Sequence, residues 1–185
     1  MVELPSQKGL ETLYEKRGRE ALVCYAWRNA LRALPFLGVV PLGHIWKKDP
    51  IRHVFGFCRV LILLGSEECL PMAASRDSSK AVRACFAALF STSSTIDEVA
   101  AEAATVTAAA VTAVYYTANA DASEAAAVAA DATTAVADYS AANADASAVA
   151  DYNELMRDGV SQSFRQTPLW RKEKWQQKKP AKRQK

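Results

Sequence analysis

The sequence predicts an all-α protein: a single helical domain over residues 1–170, folded as a compact bundle of five or six helices, with a basic tail at 171–185. The last two helices are expected to be long and Ala-rich. Three observations lead there. Between residues 72 and 158 there is neither Gly nor Pro, so the chain lacks its usual breakers over 87 residues. Ala dominates that span, and Ala is the best helix former and is depleted from strands, a preference that becomes informative when summed over so long a window. Upstream, large apolar residues recur at three and four, the helical period. The alternation in ANADAS is the one local signal for a strand, and it is brief.

Taken in order, Leu10, Leu13, Tyr14, Ala21, Leu22, Tyr25, Ala26, Leu31 and Leu34 predict one amphipathic helix over residues 10–34. Pro35 closes it, because the residue before a proline is pushed out of the α region. Residues 35–50 carry three prolines and two glycines and read as a connection. Residues 51–64 predict a second helix, apolar almost all round and therefore expected innermost in the bundle. Further helices are expected near 78–90, 96–117 and 121–158, started by Ser, Thr and Asp caps. Thr95 and Glu98 have the spacing of a capping box. The last helix has one candidate break, near residues 139–143, and Asp158 with Gly159 ends it.

Residues 118–152 hold no Gly, Pro, Lys or Arg, and Ala fills nearly every second place. ANADAS at 118–123 returns at 142–147, and VADY at 136–139 returns at 149–152, but the intervals differ, which argues for low-complexity drift and against a solenoid. One regularity survives: Glu124, Asp131, Asp138 and Asp145 stand seven apart, on one stripe of a helix. Ala on the other faces lets neighbours approach closely. The larger anchors are then Val99, Val106, Val111, Val114, Tyr115, Val128, Val136, Tyr139, Val149 and Tyr152. The plain reading is a packed helical layer with its acids in water; the functional one is an acidic face that meets a basic partner.

Charge is strongly divided along the chain. Residues 97–158 carry 11 acidic and 1 basic side chain, whereas residues 171–185 carry 8 basic and 1 acidic. In that tail Arg171, Lys172, Lys174, Trp175, Lys178, Lys179, Lys182, Arg183 and Lys185 combine cations with an aromatic ring, a set that can follow a phosphate backbone and stack on bases. The chain could thus associate weakly and without sequence preference with nucleic acid. A solubilising tail is the competing reading.

Several chemistries find no support. The seven glycines form neither GxGxxG nor a phosphate loop. The four cysteines (24, 58, 69 and 85) include no Cys-x-x-Cys pair and match no zinc module, so reduced structural thiols are expected. His44 and His53 with Asp49 are better read as capping or surface residues than as a catalytic group. No cofactor, metal or enzymatic activity is expected. The longest apolar run, residues 54–64, contains Arg59 and falls short of the roughly 20 residues that span a bilayer. The charged N-terminus lacks the pattern of a secretory signal, and a cytoplasmic location is expected.

CYAWRNALRALPFL, with Arg28, Arg32 and Pro35, precedes a long Ala/Asp/Tyr tract that leads into DYNELMRDG and then Pro168, Leu169 and Trp170. In these features the chain resembles a group of uncharacterised Ala-rich helical bacterial proteins, some of which resemble immunity proteins to secreted toxins. It departs from that group after Trp170, where RKEKWQQKK stands in place of Pro and Gly. The resemblance implies a non-enzymatic interaction module of a bacterial conflict or defence system, its partner a toxin or defence effector. It carries over no catalytic residue.

Overall fold

The computed structural model describes residues 3–35, 51, 54, 55, 58, 61, 62, 98–139 and 144–169. These contain six helices and no strand: α1 (Gln7–Arg17), α2 (Arg19–Ala33), α3 (Glu98–Asn119), α4 (Ala122–Tyr139), α5 (Ala144–Asp158) and α6 (Gln162–Gln166). The all-α bundle expected from the sequence is observed. The helix expected near 78–90 and the Thr95 cap lie outside the described residues.

The single helix expected over 10–34 is two. Ser6 starts α1 by accepting the Gly9 amide at 3.3 Å, and Gly18 ends it, its own amide donating to the Tyr14 carbonyl at 2.8 Å. Gly18 has φ +81°, where side chains other than Gly are strained, and the chain re-enters a helix at once as α2. The apolar periodicity runs through the joint without a break, so it shows nothing of the change in direction. A β-carbon at Gly18 would meet no atom within 4 Å. Gly18→Ala should therefore cost only backbone strain, about 1–3 kcal/mol, read as a lower urea midpoint with an unchanged denaturant slope.

The centre of the described bundle is α2, not the segment 51–64. α2 packs on α1, α3, α4 and α5 and buries residues on most of its circumference, among them Ala21, Leu22, Tyr25, Ala26, Ala30 and Ala33. In the other segment the described residues are helical but two-sided. Val54, Cys58 and Leu61 turn inward, while Ile51, Phe55 and Ile62 are 69–71% exposed. An all-round apolar pattern gives no ranking of depth. The small Ala positions of α2 let Ala-rich neighbours approach on several sides, whereas the bulky Ile51, Phe55 and Ile62 side chains stand out from the bundle. Trp27 on α2 ties the two together by donating Nε1–H to the Leu61 carbonyl at 2.9 Å.

The expected helix over 121–158 is also two, α4 ending at Tyr139 and α5 beginning at Ala144. α3 and α4 form a hairpin about Ala120 and Asp121. The Asp121 carboxylate caps α4 through the Glu124 amide at 2.9 Å. Between them the contact is Ala and Val, with Val106, Val111, Val114 and Val136 buried as anchors. Tyr115, Val128, Val149 and Tyr152 are only half-buried, and the side chains of Val99 and Tyr139 lie outside the described set.

The arginines on either side of Gly18 bind these helices at their ends. α3 has no basic residue in its last turn. Arg19 supplies one, donating to the Ala118 and Ala120 carbonyls at 3.0 and 3.1 Å. Arg17 does the same for α5, donating to Met156 O at 2.9 Å and to Arg157 O. Cations at C-terminal carbonyls satisfy orphan acceptors and oppose the negative end of the helix dipole.

Candidate functional site

α4 divides cleanly. Ala125, Ala126, Ala129, Ala132, Thr133 and Val136 are buried, and Glu124, Asp131 and Asp138 are exposed. Seven residues cover nearly two turns, so the three carboxylates share one slowly drifting line along the outer face. α4 contains no Lys, Arg or His, and none of the three forms an ion pair among the described residues. Asp145, the next at the same interval, is the second residue of α5, a separate helix, and its side chain lies outside the described set. A seven-residue interval puts residues on one stripe only while one helix carries them, and α4 has ended at Tyr139. Trp170 and all the tail residues, Arg171, Lys172, Lys174, Trp175, Lys178, Lys179, Lys182, Arg183 and Lys185, lie outside the described residues.

A second constellation joins residues far apart in the chain. Arg28 and Arg32, one turn apart on the buried face of α2, converge on a single carboxylate oxygen of Asp151 in α5. Arg28 Nε donates to Asp151 Oδ2 at 2.6 Å, and Arg32 Nη2 donates to the same atom. Arg32 and Asp151 are wholly buried. The remaining donors turn to the chain after α6. Arg28 donates Nη1–H to Thr167 O at 3.1 Å and Nη2–H to Pro168 O at 2.9 Å. Arg32 reaches Leu169 O from Nε at 3.1 Å and from Nη2 at 2.9 Å. The Arg28 guanidinium also lies over the ring of buried Phe164, 5.0 Å from its centroid.

The network continues inward. Arg32 Nη1 donates to Asn29 Oδ1 at 2.8 Å, Asn29 Nδ2 donates to Thr133 Oγ1 at 3.0 Å, and Thr133 donates to the Ala129 carbonyl at 2.7 Å. Tyr25 Oη is buried beside this chain and has no well-aligned hydrogen-bond partner among the described residues, although Thr133 and Asn29 stand next to it. Burial pushes the Tyr25 phenol up to about 12, against the opposing pull of Thr133, Asn29 and Arg32. Burial likewise lowers the pKa of Arg32, while Asp151 works to keep it charged.

Asp151 was not among the residues singled out from the sequence, although a signal existed. Arg28 and Arg32 stand four apart on a helix face shared with Tyr25 and Asn29, and two guanidiniums in a core require an acidic partner. Among the described residues no cluster of His, Cys, Asp or Glu is arranged to hold a metal ion, and no helix is long and apolar enough to cross a membrane. No family model matches the chain, and neither a curated protein nor a solved structure does. The resemblance to Ala-rich bacterial proteins thus rests on its sequence features alone.

Proposed function

We propose that this chain is a non-enzymatic helical interaction module, an immunity-like or accessory protein of a bacterial conflict or defence system. It acts in the cytoplasm and binds another protein, such as a toxin or defence effector, through the acidic outer face of α4. The observation that supports this reading is the line of exposed carboxylates, Glu124, Asp131 and Asp138, on a helix that has no cation of its own and whose opposite face is packed into the bundle. A face held by the core presents its charges in a set geometry, and such charges govern association rate and choice of partner. A basic active-site surface is the kind of target that it would cover.

The second reading assigns weak nucleic-acid association to the tail, favoured by its 8 basic residues in 15. One experiment separates the two. Affinity capture from the native cell is run with the whole chain, with E124Q/D131N/D138N, and with a chain ending at Trp170. The threefold variant should melt near the wild type, since exposed substitutions cost within about 0.5 kcal/mol each, and should lose its basic protein partner. Unchanged capture would rule out the α4 face. The shortened chain should keep the partner and lose only DNA retention that falls steeply with salt, at about −0.9 in log–log slope per phosphate neutralised.

A further inference from the structure

Among the described residues, three large apolar side chains stand in water on one short helical segment: Ile51, Phe55 and Ile62, at 69%, 71% and 70% exposure. A helix advances about 100° per residue, which sets them within about 40° of one another. Val54 and Leu61 lie to one side of that line and join the core. To the other side the sequence places Arg52 and Arg59, about 100° and 80° from Ile51. Trp46, Lys47 and Lys48 come just before, so residues 46–62 carry four basic side chains and one acidic. An apolar line bordered by cations is the pattern of a helix that lies flat in a membrane interface, its apolar side among the acyl chains and its cations at the headgroups.

A second copy of the chain, paired on this face about a twofold axis, would bring like cations together. The apolar run 54–64 is too short to span a bilayer, which calls for roughly 20 residues. The acids of α4 do not oppose a lipid surface here. On α2, Trp27 donates to the Leu61 carbonyl at 2.9 Å, and Asn29 donates to Thr133 of α4 at 3.0 Å. Residues two apart on a helix point about 200° apart, so the segment and α4 lie on opposite sides of α2. Two interaxial distances, roughly 16–20 Å, therefore separate α4 from the segment, beyond the Debye length of about 8 Å at physiological salt. We infer that Ile51, Phe55 and Ile62 dock the protein on an anionic lipid surface, with Arg52 and Arg59 at the headgroup phosphates. The acidic line of α4 then faces away from the membrane. The inference does not depend on that line binding a partner.

Flotation of the full chain with vesicles tests it. The chain should bind phosphatidylcholine vesicles with about 30% phosphatidylserine at least about tenfold more tightly than phosphatidylcholine alone, since each cation at an anionic surface contributes about fivefold. The basic tail is present in every protein compared, so differences among them belong to the face. F55S/I62S replaces side chains that are mostly exposed and should keep the wild-type circular dichroism and urea midpoint. It should bind the anionic vesicles about tenfold more weakly or worse, because the apolar area that enters the interface is gone. R52Q/R59Q should lose about as much on anionic vesicles and nothing on neutral ones. If the wild type does not float, or if F55S/I62S floats equally well, the inference is wrong; in the second case the tail carries the binding. A wild-type dimer in solution that F55S/I62S splits would overturn it too, by assigning the face to a second copy. If F55S/I62S unfolds, I51S and R52Q/R59Q decide, and unchanged flotation of either counts against the inference.

Discussion

Asp151→Asn should cost about 3–5 kcal/mol, a large part of the roughly 5–15 kcal/mol that holds a small domain together. The carboxylate is the shared counter-charge of Arg28 and Arg32, and both guanidiniums reach one of its oxygens in a site from which water is excluded. Neutralising it leaves two cations side by side. Arg32 is the worse placed, because burial already lowers its pKa and Asp151 is the largest influence working the other way. Urea denaturation should show the loss as a lower midpoint. Exchanging all three charged residues together, as Arg28→Leu, Arg32→Met and Asp151→Leu, should recover most of it, since an apolar trio of similar volume is often as stable as a buried ion cluster. A loss below about 1 kcal/mol in Asp151→Asn would mean that water reaches the cluster and screens it. The triple variant should also free residues 167–169, because the donors that hold their carbonyls are gone, so stability and docking of the segment separate in one protein.

Identical short sequences mark the limit of what could be read from residue order. VADY occurs at 136–139 and at 149–152, yet its aspartates have opposite fates: Asp138 is exposed on α4, and Asp151 is wholly buried under two arginines. Composition cannot separate the two copies. Only the packing of α5 on α2 does so. ANADAS behaves differently, since both copies fall at helix boundaries, one at the α3–α4 turn and one where α5 begins. The low-complexity repeat thus contained topological information that drift did not suggest.

What proved readable depends on local physics. The end of α5 before Gly159 follows from a glycine at φ +68°. Leu34, just before Pro35, instead keeps α-region angles of φ −55° and ψ −42°, so α2 gives way to a short 3-10 turn without the expected exclusion from the α region. The break at Gly18 was harder to see, because apolar spacing of three and four persists on both sides and one glycine in a helical pattern is often tolerated. The exposed acids of α4 were legible because Ala and Asp differ so sharply in their need for water. The arginine cluster was half legible: Arg28, Arg32, Pro168 and Leu169 stood out as a pattern, whereas the contact among them depends on Asp151, a residue hidden among ten other acids in the same stretch.

The same core should make the protein sensitive to alkali. Tyr25 is completely buried, and its phenol titrates at about 12 in place of the ordinary 10.0. Above pH 10 the unfolded chain releases this proton and the folded chain keeps it, so the folded state binds more protons and its stability falls as pH rises. The contribution is fully present below pH 10 and is lost between 10 and 12, for a total of about 3 kcal/mol. Urea midpoints measured from pH 8 to 11.5 should decline over the upper half of that range, and in Tyr25→Phe the decline should be shallower by about 2 kcal/mol, the share of the loss reached by pH 11.5. At pH 8 the Phe variant should lie within about 1 kcal/mol of the wild type, because the hydroxyl it removes is buried with no well-aligned hydrogen bond among the described residues, although Thr133 and Asn29 lie beside it. If Tyr25→Phe instead lost more than about 1 kcal/mol at pH 8, the hydroxyl would have to be bonded within the Asn29–Thr133 chain, and the alkaline decline would then have to arise from other groups.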